Sequence, residues 1–246
     1  MTNKILAAIS TGFLVAAMMA GAAESEWVPL FDGKNLDSWN MEGRQDAWTV
    51  TDKGELRVAK AGPSLFTKKR YCDFALELDF RMGAKAKANS GVFLHVHNNR
   101  DEVNTGMEIQ ILDNAEYNVK WDAGNASGAF YDCVHPAVDA NKPVGEWEHF
   151  LITMNGNLLT VELNGKEVVR ADLDQWKEAH KNPDGSHNKF PHAMGALPRE
   201  GFIGLQNYGG VPVWFRNVRI KMLSDRKPRF TGDEPVDQVL SKPDSK

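Results

Sequence analysis

The feature that most constrains this chain is the run Phe74-Ala75-Leu76-Glu77-Leu78-Asp79-Phe80-Arg81. Phe74, Leu76, Leu78 and Phe80 share one face, and Glu77, Asp79 and Arg81 the other, only if the backbone is extended, because side chains in a strand repeat every two residues. A helix would scatter the same residues around its circumference. The run therefore predicts a strand with one buried face and one wet face, which needs a second layer to cover it.

Turn chemistry extends the pattern. Asn155-Gly156 and Asn164-Gly165 are hairpin signals, since both residue types accept positive φ. They predict a meander of three strands at 150–154, 158–163 and 167–172. Two further strands are expected at 202–206 and 211–222. In the second, apolar parity changes between Val213/Phe215 and Val218/Ile220, which predicts a bulge near Asn217 that re-aims a neighbouring side chain. Helical periodicity is weak, and its best candidate is the short stretch 173–180. These elements predict an all-β sandwich in a single domain with few short helices. The stretch 174–200 is polar and Pro-containing, too long for a hairpin connection, and so expected to be functional or mobile. Residues 227–246 read as a loosely held polar tail.

The 246 residues are 42% hydrophobic and 25% charged, a globular balance. The net charge of −4 comes with no basic stripe, which argues against nucleic acid as the main partner. Residues 1–23 carry Lys4, an apolar stretch and the small residues Ala20-Gly21-Ala22-Ala23, the layout of a secretory signal peptide. The domain is then expected at 24–226, in a protein exported to the periplasm or outside the cell. No second long apolar run follows, so no integral membrane span is expected. Two readings are open for Cys72 and Cys133: two separate thiols, or a disulfide closing a loop of about 60 residues and worth roughly 3–4 kcal/mol.

Two segments carry chemistry. In 89–97, Phe93, His95 and His97 share a face by parity; in 106–114, Glu108 and Gln110 do. A simple antiparallel register sets His95 opposite Glu108 and Phe93 opposite Gln110. It would gather His95, His97, Glu108 and Gln110 into one acid–base patch. Two alternatives stay open: the solvated outer face of a sandwich, and a metal site in which His95, His97 and Glu108 are ligands. Further on, Gln206 and Tyr208 share a face before a Gly turn. Trp214 and Arg216 alternate on the next strand, in types that bind sugar hydroxyls and stack on sugar rings.

Several motifs run in order over nearly all the chain after residue 26. They are Trp27-Val-Pro-Leu-Phe-Asp-Gly-Lys-Asn-Leu-Asp-Ser-Trp39, Asn89-Ser-Gly-Val-Phe-Leu94, Gly106-Met-Glu-Ile-Gln-Ile-Leu-Asp-Asn114, Gly128-Ala-Phe-Tyr131, Lys142-Pro-Val-Gly-Glu-Trp147 and Gly201-Phe-Ile-Gly-Leu-Gln206. With these the chain resembles the 3-keto-disaccharide hydrolase domain family. The resemblance implies a concanavalin-A-like jelly roll and cleavage of glycosides already oxidised at C3. A base would take the C2 proton, the C1 substituent would leave, and water would add. No cofactor is required for that chemistry, although a structural Ca²⁺ occurs in sandwiches of this kind. Glu108, Gln110, Asp113 and Gln206 match polar positions of the family. His95 stands where the family often has Arg, and Tyr208 where it often has His. The resemblance thus implies Glu108 or His95 as base, and Tyr208 or Asp113 assisting the leaving group. With the residue types noted above, the reading assigns Gln110, His97, Tyr131, Gln206, Trp214 and Arg216 to binding the 3-keto sugar.

Glu108-Ile-Gln-Ile-Leu-Asp113 also invites comparison with the Glu-x-Asp-x-x-Glu strand of laminarinase-type glucanases. Gln110 and Asp113 depart from that pattern, and the opposite parity of 108 and 113 needs a bulge. A retaining glucanase and a non-catalytic carbohydrate-binding module remain the alternatives.

Overall fold

The computed structural model describes residues 26–41 and 43–240. The expected signal peptide lies outside the described residues. Strands in chain order are β1 (Val28–Pro29), β2 (Trp39–Asn40), β3 (Trp48–Val50), β4 (Leu56–Val58), β5 (Leu65–Thr67), β6 (Phe74–Met82), β7 (Asn89–Val96), β8 (Met107–Leu112), β9 (Glu148–Asn155), β10 (Leu158–Leu163), β11 (Lys166–Asp172), β12 (Phe202–Leu205) and β13 (Val213–Met222). They form two antiparallel sheets. One runs β11-β10-β9-β6-β13-β4-β3, with β1 added on β13; the other runs β2-β5-β12-β7-β8. The fold is the expected jelly-roll sandwich. Among the described residues no helix is long and apolar enough to cross a membrane.

The core forms where alternation said it would. The apolar face of β6 meets β9 through Leu76↔Ile152 and Leu78↔Phe150, and meets β13 through Phe80↔Phe215 and Leu76↔Ile220. All seven of these side chains are buried between the sheets. The Phe80 and Phe150 rings lie 4.8 Å apart, a contact worth about 0.5–1.5 kcal/mol beyond the area it buries.

The turns follow their residues closely. Leu163 pairs with Lys166, so Asn164-Gly165 is a two-residue loop, and both have positive φ (52° and 77°) as a type I′ turn requires. The other hairpin is offset by one residue. Asn155 pairs with Leu158, so the loop is Gly156-Asn157, with Gly156 at φ 59° in its first position. The bulge expected near Asn217 is present: Arg216 faces Asp79 and Arg219 faces Glu77, so β13 carries one extra residue, with Asn217 at φ 53°.

Two expectations fail locally. The helix at 173–180 is a single 3₁₀ turn, Leu173–Gln175. The tail does not trail through its described part. Buried Glu200 accepts the backbone N–H groups of Arg229 and Phe230 at 2.8 Å each. Phe230 is buried, and a short helix follows at Val236–Leu240. The charged composition of the tail hid these anchors. Cys72 and Cys133 are separate thiols, and burial pushes the Cys133 thiol well above its ordinary pKa.

Candidate active site

The site is built on β7, β8 and the end of β12. In β8, Met107, Ile109 and Ile111 enter the core between the sheets, and Glu108 and Gln110 point to the other side. The register pairs Glu108 with Phe93 and Gln110 with Gly91, two residues away from the simple register. Gly91 is what makes room. A Cβ there would lie 2.4 Å from Glu108 Oε1 and 2.9 Å from its Cγ, so the carboxylate lies across bare backbone.

Gln206 follows β12. Its N–H donates to Gly91 O (2.9 Å), and Ser90 Oγ donates to Gln206 O (2.8 Å). So fixed, its Nε2 donates to Glu108 Oε1 at 2.9 Å. Lys189 Nζ stands 3.7 Å from Glu108 Oε2 and 4.4 Å from the Tyr131 ring centroid. The Tyr131 N–H donates to the Glu108 carbonyl (2.9 Å). Gln110 donates to Asn89 Oδ1 (3.2 Å). Among the described residues, the side-chain amide oxygens of Gln110 and Gln206 are buried without a hydrogen-bond partner. Buried polar atoms are rarely left this way.

Burial sets the electrostatics. Glu108 is 4% exposed, and desolvation raises its pKa to about 6 against the opposing pull of Lys189 and the Gln206 hydrogen bond. The Tyr131 hydroxyl is pushed up by desolvation and by the Glu108 charge, so it stays a proton donor at neutral pH. A carboxylate near neutrality beside an ammonium and a phenol can remove a proton, stabilise the resulting anion and return a proton.

Several expected residues are elsewhere. His95 does not face Glu108. Phe202 pairs with Val96 and Gly204 with Phe93, so β7 carries an extra residue, and His95 at φ 48° marks this bulge. The bulge turns the ring into the core against Phe74, centroids 5.6 Å apart, where Nε2 donates to Cys72 O at 2.7 Å. Burial lowers its pKa to about 4. His97 donates from Nε2 to Glu234 O (2.7 Å) and serves to hold the tail. The three-ligand metal reading of His95, His97 and Glu108 is therefore not assembled. Among the described residues no other group of three His, Cys, Asp or Glu is placed to hold a metal, so no step is assigned to one.

Asp113 is buried at the end of β8, where Oδ1 accepts the Glu116 N–H (3.2 Å); it shapes a turn instead of assisting a leaving group. Trp214 and Arg216 lie on the other sheet. Trp214 is flanked by Arg57 (5.3 Å) and Arg81 (4.7 Å), and Arg216 pairs with Asp79. Tyr208 is half-exposed and lies two residues beyond Gln206.

Lys189 escaped the sequence reading because it sits in the polar stretch 174–200. Trp176 and Phe190, both buried, anchor that stretch. Trp176 Nε1 and Asn188 Nδ2 both donate to Asn182 Oδ1 (2.8 and 2.9 Å), and the Lys189 N–H donates to Asp132 Oδ2 (2.6 Å). Two large apolar residues inside a polar loop were the available sign that it is tied down.

A Parabacteroides distasonis structure provisionally described as a glycosyl hydrolase is 37% identical, with a TM-score of 0.72, covering 80% of this chain and all of that one. A Bacteroides thetaiotaomicron protein named 3-keto-disaccharide hydrolase is 28% identical over 232 residues, 80% of this chain and 78% of its own length. A galectin-like Bacillus subtilis structure, 12% identical, matches in fold with a TM-score of 0.51 over 80% of this chain and 94% of its own. Residues 26–221 match the model of the 3-keto-alpha-glucoside-1,2-lyase-like domain, and the chain belongs to that family.

Proposed function

We propose that this protein is exported and cleaves 3-keto-glycosides by removing the C2 proton, with Glu108 as the base. The observation that carries the reading is the Glu108 carboxylate, desolvated to a pKa of about 6 and bracketed by Gln206 and Lys189. A C3 ketone acidifies the neighbouring C2–H. Glu108 takes that proton, the C2–H electron pair becomes the C2–C3 double bond, and negative charge moves to the C3 oxygen. Lys189 is the cation within reach of that oxygen. When the carbonyl re-forms, the electrons pass to C1–C2 and the C1–O bond breaks. The departing oxygen takes a proton from Tyr131, with Tyr208 at the rim as the second phenol. The product is a C1–C2 enone, and water adding across it completes net hydrolysis. Gln110, on the same face of β8 as Glu108, and Gln206, hydrogen-bonded to it, are assigned to binding substrate hydroxyls.

A single carboxylate suffices for this route. A retaining glucanase needs a second at roughly 5–5.5 Å, and Asp113 is committed to its turn. The decisive assay offers the protein a 3-keto-disaccharide and its unoxidised parent. Cleavage of the keto sugar alone, with C2 deuterium exchange in D₂O, is expected. Cleavage of the parent alone would overturn the proposal, and cleavage of neither would favour a carbohydrate-binding module.

The pH profile follows from the base. Glu108 acts as carboxylate, so kcat/KM is expected to rise through an apparent pKa of about 6 and level off above it. Lys189→Met removes the cation that opposes desolvation. It should move that midpoint upward and lower kcat by about 10-fold or more, read from the same profile. An unmoved midpoint would show that Lys189 has no electrostatic hold on Glu108.

A further inference from the structure

A cleft of about 910 Å³ opens on the sheet that does not carry Glu108. Its floor is Glu77 and Asp79 of β6, His149 of β9, and Arg216, Asn217 and Arg219 of β13. Two loops form its rim, one through Asp32 and Lys34, the other through Asp52 and Lys53. They are clasped where Gly33 and Gly54, both at positive φ, meet so closely that a Cβ on either would lie 3.2 Å from the other's carbonyl oxygen. Glu108, Gln206 and Lys189 do not line this cleft.

The floor is preorganised. His149 bridges the two carboxylates, Nδ1 to Asp79 (2.8 Å) and Nε2 to Glu77 (3.3 Å). Asp79 Oδ2 accepts from Arg216 Nε (3.1 Å) and Asn217 Nδ2 (2.7 Å), and Glu77 Oε2 accepts from Arg219 Nε (2.6 Å). Arg216 is further held flat, its guanidinium 4.0 Å from the Trp147 ring centroid, with Arg81 also 4.9 Å from that centroid. The floor also has hydrogen-bonding capacity to spare. Arg216 gives Asp79 only its Nε, which leaves both terminal amino groups, and Arg216 is 40% exposed. The Asn217 amide, aimed by the bulge, uses its Nδ2 and keeps its carbonyl oxygen.

Four acidic side chains (Asp32, Asp52, Glu77, Asp79) and four basic ones (Lys34, Lys53, Arg216, Arg219) line the space, so no net field selects an ion. An anion would meet four carboxylates and a cation four cationic groups. A ligand whose every polar group both donates and accepts suits this mosaic, and a hydroxyl does so. The volume is at the upper end of the range for small-molecule sites. We propose that this cleft is a second glycan-binding site, which takes a neutral oligosaccharide on the sheet opposite Glu108. It goes beyond the catalytic reading and stands whether or not Glu108 is the base.

Isothermal titration of the full chain with cellotetraose, maltotetraose and laminaritetraose tests it, with tetragalacturonate as the anionic probe. At least one neutral tetrasaccharide is expected to bind, and Glu108→Gln to leave its affinity unchanged. Arg216→Gln should weaken that affinity about 10-fold or more. Asn217→Gly, which keeps the positive φ at no steric cost and removes the amide, should weaken it in the same direction even if Arg216→Gln proves unstable. Binding of none of the neutral sugars, binding of tetragalacturonate alone, or an affinity lost with Glu108→Gln and kept in Asn217→Gly would each overturn the proposal.

Discussion

Glu108→Gln is expected to lower turnover of a 3-keto-disaccharide by at least about 100-fold and to make the protein more stable at pH 8. Both effects come from desolvation of one carboxylate. Its pKa rises from 4.5 in the unfolded chain to about 6 in the fold. Between those values the folded state keeps a proton that the unfolded state has released. Stability therefore falls as pH rises through 4.5 to 6 and stays lower above, by about 2 kcal/mol. Gln does not titrate, so the variant escapes this loss. Urea unfolding at pH 4 and pH 8 should show the gain at pH 8 and little of it at pH 4. A variant with wild-type turnover would clear Glu108 of the role. An equal stability change at both pH values would show that the carboxylate is not desolvated as described.

Gly91→Ala should be nearly as damaging to turnover while sparing the fold. The added Cβ meets Glu108 Oε1 at 2.4 Å and Cγ at 2.9 Å. These atoms belong to a flexible side chain, so the carboxylate swings away and β7 keeps its place. That costs Glu108 its Gln206 hydrogen bond and its approach to Lys189. A misplacement of about 1 Å at a reacting group can cost 10²-fold in rate, so a loss of about 100-fold is expected. Melting temperature and turnover should be measured together. A large drop in melting temperature would mean that the backbone gave way instead, and unchanged turnover would mean that the carboxylate did not need that position.

The fold was legible because its signals were local. The alternation of β6, the Asn164-Gly165 turn and the parity change at Asn217 each state their geometry within a few residues. The site was legible in part. Glu108 and Gln110 share a face of β8 as their parity predicts, Gln206 meets Glu108 from just beyond β12, and Tyr131 joins them from the connection after β8. His95 was misplaced because its bulge leaves no mark in the sequence: Phe93, His95 and His97 alternate without interruption, and only pairing with β12 shows the extra residue. Trp214 and Arg216 were assigned to the sugar by residue type, but type does not say which of two sheets a strand joins. Lys189 reaches Glu108 through side-chain anchors distributed over 132–190, and no window of sequence contains that arrangement.

Glu108 and Gln206 are held by paired strands, whereas Lys189 and Tyr131 arrive on long connections. On the proposed mechanism the base and its orienting amide rest on the sheet, while the cation that tunes the base is lent by a loop. An exchange of the 174–200 connection must therefore keep a cation at position 189, and a chimera that loses it should lose the electrostatic hold on Glu108 although every strand is unchanged.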